Sequence, residues 1–71
     1  MRVNILFDLK HLQTIDVEIY SNIGQLVYNE RINGKVGKNQ ISIPVNHLKI
    51  GMYIIKLDGQ DFHAVQKLMV N

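Results

Sequence analysis

Apolar residues recur at every second position in three stretches of this chain: Val3, Ile5, Phe7 and Leu9; Ile15, Val17 and Ile19; Ile41, Ile43 and Val45. A period of two belongs to a strand with one buried and one wet face. The intervening residues are mostly polar: Asn4, Asp8 and Lys10; Asp16 and Glu18; Gln40 and Ser42. Composition agrees, because ten Ile and seven Val stand against a single Ala, and β-branched side chains suit a pleated surface better than a helix. The expected fold is all-β, with antiparallel sheets packed face to face and no substantial helix.

Three further strands complete a set of about six. Gln25 to Ile32 follows a turn signal at Asn22, Ile23 and Gly24, and its apolar residues break the period of two, which points to a bulge. Met52 to Leu57 is apolar on both faces apart from Lys56, the pattern of a central strand covered on both sides. Asp58 and Gly59 form a favoured hairpin dipeptide leading into Asp61 to Val70. Asn33 to Lys38 reads as the flexible loop between the third and fourth strands. Pro44 has no N–H for a ladder, so its strand lies at an edge or turns that nitrogen outward.

A chain of 71 residues and 8.2 kDa makes one small domain. Surface scaling gives about 4,500 Å² exposed when folded against about 11,900 Å² unfolded. Burying the apolar share of that difference stabilises by about 110 kcal/mol, while ordering the chain costs about 107 kcal/mol. The terms nearly cancel, and the absence of Cys removes disulfides as a further source of stability. Such a domain gains from docking on a neighbour, either its parent chain or a second copy.

The formal charge of +2 is spread as single residues, without the basic run of a nucleic-acid surface. The apolar stretches are too short to insert in a membrane, and Asp8 and Lys10 interrupt any leader-like segment at the start, so an export signal is expected elsewhere.

The search for chemistry is mostly negative. His11, His47 and His63 lack metal-pair spacing and have no Cys to join them. Gly34 to Asn39 fails the phosphate-loop pattern in both its glycine spacing and the residue after Lys. Asp16 and Glu18 share a wet strand face, and Thr14, Ser21 and Ser42 lack a nucleophile context. No catalytic, cofactor or metal site is expected. The alternative is a generic or carbohydrate-binding sandwich module, the latter stacking sugars on exposed rings of Tyr20, Tyr28 and Tyr53.

The order of turns and strands carries more information. Val17 to Val27 reads as a valine-x-isoleucine-tyrosine strand, a turn, and then Gly24, Gln25, Leu26 and Val27. Gly37 to Gln40 precede an alternating strand, Leu48 to Tyr53 spells Leu-x-x-Gly-x-Tyr, and Lys67, Leu68, Met69 and Val70 close the chain before Asn71. This ordered combination, from about Val3 to Asn71, resembles the C-terminal sorting domains of the bacterial type IX secretion system. Family members usually open with a Pro-Asn-Pro element and a first strand. Neither precedes Val3, so residues 1–71 are expected to form a single β-sandwich lacking its first strand, with an exposed edge open to a homodimer or to the parent chain.

The resemblance implies an immunoglobulin-like sandwich and a noncatalytic address label. Its partners would be the outer-membrane translocon, a surface sortase that cleaves ahead of Met1, and the upstream cargo domain. Cargo would pass through the periplasm to the cell surface or beyond. It also implies a sorting motif at Leu48, Gly51, Tyr53, Lys67, Leu68, Met69 and Val70; the turns expected at Gly24 and Gly59 rest on the residues themselves. In that frame Leu48 plugs an open end of the sandwich, Tyr53 buries its ring while its hydroxyl finds a backbone partner, and the last strand presents its edge for pairing.

Overall fold

The computed structural model describes residues 1–71. Six strands follow in order: β1 (Arg2–Leu9), β2 (Gln13–Ser21), β3 (Leu26–Gly34), β4 (Gly37–Pro44), β5 (Gly51–Asp58) and β6 (His63–Val70). β1 and β4 form a two-stranded sheet, and the order β3-β2-β5-β6 forms a four-stranded one. Every pairing is antiparallel. The larger sheet has the C′-C-F-G order of an immunoglobulin sandwich, and β1 and β4 stand where strands B and E would.

Directly opposed residues of an antiparallel pair share a face, so register decides what is buried. Val17 opposes Leu57, and Ile19 opposes Ile55. These four residues, with Ile15, form the floor of the core. Phe7, Leu9, Ile43 and Val45 cover it from the smaller sheet. Ile15, Val17, Ile19 and Ile43 are wholly excluded from solvent.

The structure corrects three local expectations. First, β5 is central in its sheet but covered on one face only: Tyr53, Ile55 and Leu57 are buried, whereas Met52 on the opposite face is 43% exposed. The second layer has two strands, and none lies on the outer side. Second, only Lys35 and Val36 separate β3 from β4, so there is no long loop. The buried Asn39 amide ties this link. Its Nδ2 donates to the carbonyls of Lys35 (2.8 Å) and Gly37 (3.0 Å), and its Oδ1 accepts from the Lys35 N–H (3.0 Å). Third, Asp58 remains in the ladder opposite His63. The hairpin tip falls at Gln60 and Asp61, flanked by a bond from the Gly59 N–H to the Phe62 carbonyl at 2.7 Å.

Other expectations hold. Tyr20 opposes Leu26 while Ile19 opposes Tyr28, which makes Val27 the extra residue of a bulge. Ser21 accepts from the Gly24 N–H at 3.0 Å, and Gly24 has φ +85°, a three-residue hairpin whose last position suits glycine. β4 is an edge strand. The Val45 N–H donates to the Met1 carbonyl at 3.1 Å, so the neighbouring residue Pro44 turns its nitrogen away from β1.

The molecule measures 35 × 22 × 16 Å. Its 5014 Å² of accessible surface exceeds the roughly 4,500 Å² expected for its mass, because the two-stranded sheet leaves part of the four-stranded one uncovered.

Candidate functional site

Tyr53 is the third residue of β5 and is only 6% exposed. Its hydroxyl donates to the Lys49 carbonyl at 2.6 Å. Lys49 lies in the Val45–Ile50 crossover, so the bond fastens that crossover to the strand it feeds. This is the tyrosine-corner arrangement. Leu48 is half-buried against the core, and its N–H donates to the Val45 carbonyl at 3.0 Å, closing a turn. Gly51 begins β5 at φ +155°, a value that L side chains rarely adopt.

Pairing of β5 with β6 brings the two halves of the motif together. Gly51 opposes Val70 and Tyr53 opposes Leu68 on the inner face; Met52 opposes Met69 and Ile54 opposes Lys67 on the outer face. The terminal residues therefore divide. Val70 is in the core, Leu68 is half-buried, and Lys67 and Met69 face solvent.

The open outer face was not legible as such in the sequence, although Lys56 and Lys67 within apolar strands signal it. It carries Met52, Ile54, Val65 and Met69 beside Tyr20, whose ring lies 5.8 Å from the Lys56 ammonium. At its other end Arg31 Nε donates to Asp16 at 2.8 Å, and His63 Nδ1 lies 3.0 Å from Asp58.

The electrostatics are those of a solvated surface. The Glu18 carboxylate accepts from Tyr20, and Glu30 accepts from Tyr28; each bond raises the phenol's pKa. Asp16 raises the Arg31 guanidinium through their hydrogen bond. The Gln13 amide and then His11 hold the Asp61 carboxyl below its usual range.

The three histidines lie apart: His11 on Asp61, His63 on Asp58, and His47 6.0 Å from the Tyr28 ring. No three His, Asp or Glu side chains converge as metal ligands. The three tyrosines do not form a platform either. Tyr53 is buried, Tyr20 is on the outer face opposite Ile54, and Tyr28 opposes Ile19 on the inner face. Gly59 serves close approach and not a positive φ, since a Cβ there would collide with the Gln13 and Ile15 side chains.

Compared with known families, residues 1–71 match the model described as "Secretion system C-terminal sorting domain" over their whole length. The chain belongs to this type IX secretion sorting-domain family. No curated protein and no solved structure matches it. The sorting domain keeps Leu48, Gly51 and Tyr53 as one corner and sets Lys67 to Val70 along the strand beside it. The family's role is that of a C-terminal secretion signal, exported by the type IX route toward the surface or medium.

Proposed function

We propose that this sorting domain is the noncatalytic address of a cargo joined ahead of Met1. The outer-membrane type IX translocon, or a shuttle serving it, reads the folded domain in the periplasm. A surface sortase then cleaves upstream and attaches the cargo to an anionic lipopolysaccharide. Lys67 and Met69 on the β6 edge supply the recognised surface, while Leu68 and Val70 hold that edge against the core. The observation that carries this reading is the family match over the whole chain. An edge strand supports it physically, because it offers an unpaired ladder for strand addition.

The test is a reporter fused ahead of residues 1–71 in a type IX-competent bacterium. The fusion should reach the surface or medium, and removing residues 67–71 should strand it in the periplasm. Unimpaired secretion of the shortened fusion would refute the assignment of recognition to β6.

A further inference from the structure

β3 ends the four-stranded sheet and β4 belongs to the two-stranded one, and only Lys35 and Val36 join them. That short link keeps both strands on one side of the sandwich, where they border a cleft of about 680 Å³. Ile32 of β3 and Ile41 of β4, both half-buried, form its apolar part, and Asn33, Lys35, Lys38 and Gln40 form its polar part. β6, which carries the proposed sorting surface, is at the opposite end of the four-stranded sheet.

The backbone groups that β4 leaves open follow from one bond. The Val45 N–H donates to the Met1 carbonyl, so Ile43, Ile41, Asn39 and Gly37 direct their N–H and C=O groups to β1. The alternate residues Lys38, Gln40 and Ser42 direct theirs away from it. No turn or loop bond takes the groups of Lys38 or Gln40. Further along, the edge is closed. Arg2 Nη2 donates to the Ser42 carbonyl at 3.0 Å while its Nε donates to Ser42 Oγ at 2.7 Å, and Pro44 has no N–H. Lys38 to Gln40 is the open window.

Every charged side chain that lines the cleft is cationic. Lys35 and Lys38 are exposed, and none of the ion pairs in the chain includes either, although Asp8 opposes Lys38 in the ladder. Glu30, two residues before Ile32, is outside the lining and accepts from the Tyr28 hydroxyl at 2.7 Å.

We infer that the β4 edge takes an extended acidic segment of another protein, which pairs with Lys38 and Gln40 as a third strand of the small sheet. The open groups both donate and accept, so their partner must do the same along its length; a peptide backbone does, and a free phosphate or carboxylate does not. Strand alternation then places the side chains of the segment. Residues on the outer face come beside Lys38, where a carboxylate meets an unpaired ammonium group. The residues between them turn toward Ile32 and Ile41, where an apolar side chain covers what is half-exposed. The fitting segment therefore alternates acidic and apolar residues. Within this chain only Asp16-Val17-Glu18 does so, and it is fixed in β2 between β3 and β5, so a second copy does not supply it. The site is independent of the sorting reading, since it uses neither β6 nor the Tyr53 corner.

The probe is a short acetylated peptide of alternating Glu and Val, titrated into the isotope-labelled 71-residue chain and followed by amide NMR. Saturable shifts are expected at Lys38 and Gln40, with the β6 amides unmoved. The K35E/K38E chain should bind about 10-fold more weakly with an unchanged far-UV circular dichroism spectrum. The peptide N-methylated at its Glu residues keeps its charge but loses its ladder donors, and should not bind. Absence of saturable shifts at millimolar peptide would overturn the proposal. Equal binding of the N-methylated peptide, or equal shifts from inorganic phosphate, would do so too, because the cleft would then only attract anions. A chain extended ahead of Met1 whose Lys38 and Gln40 amides are already protected from exchange would equally overturn it, its own preceding segment filling the edge.

Discussion

The Tyr53 hydroxyl reaches back four residues to the Lys49 carbonyl at 2.6 Å, joining the crossover between the sheets to the start of the central strand β5. The ring fills the core whether or not the oxygen is present, so Y53F isolates the bond. Its loss should cost about 0.5–1.5 kcal/mol, read as a lower urea midpoint with an unchanged slope. A midpoint equal to wild type would remove the bond from the account of the corner.

Gly24 and Gly59 are glycines for different reasons, which substitution should separate. Gly24 has open space around it but φ +85°, so G24N, which tolerates the left-handed region, should cost less than G24A. At Gly59 the obstacle is the Gln13 and Ile15 side chains. There Asn should be no better than Ala, and G59A should destabilise by about 1–3 kcal/mol. Thermal unfolding of the four variants distinguishes conformational strain from collision.

Asn39 is the one buried polar side chain, and all its hydrogen bonds go to the Lys35–Gly37 link. Replacing it with Leu keeps the branched outline of the side chain but leaves the backbone groups of Lys35 and Gly37 without these partners. The expected cost is about 1–3 kcal/mol. Faster amide exchange should appear at Lys35 while the β2 core is unchanged.

Asp61 links the β5–β6 turn to the start of β2 through Gln13 and His11. Its folded pKa lies below the ordinary carboxylate value. The stabilisation is therefore complete above about pH 4 and is lost as pH falls through the folded value. A carboxyl-carbon NMR titration should place the Asp61 midpoint below that of an unstructured peptide. Q13A should move it upward, because the Gln13 bond is the largest cause of the depression.

Much of the architecture was legible because alternation is a local property. Val17 and Ile19 read as inward residues without any knowledge of what lies opposite, and Tyr53 could be assigned a buried ring with a tethered hydroxyl. Asn39 was not legible as the clamp on its turn, since nothing in Gly37-Lys38-Asn39 states that the amide folds back on Lys35. The hairpin tip was misplaced for a related reason. Asp58-Gly59 is a strong local turn signal, but in the folded chain Gly59 is fitted against Gln13 and Ile15, and the tip moves to Gln60 and Asp61.

The sequence by itself determined the strand class, the number of strands, the inward set of each alternating strand and the family, because these depend on side-chain period and on ordered local motifs. Only the tertiary structure decided the order of strands within each sheet, that β5 is covered on one face, and that Val70 is buried while Met69 is open. Those outcomes rest on register and on how many strands each layer holds, and both arise from pairing between segments distant along the chain.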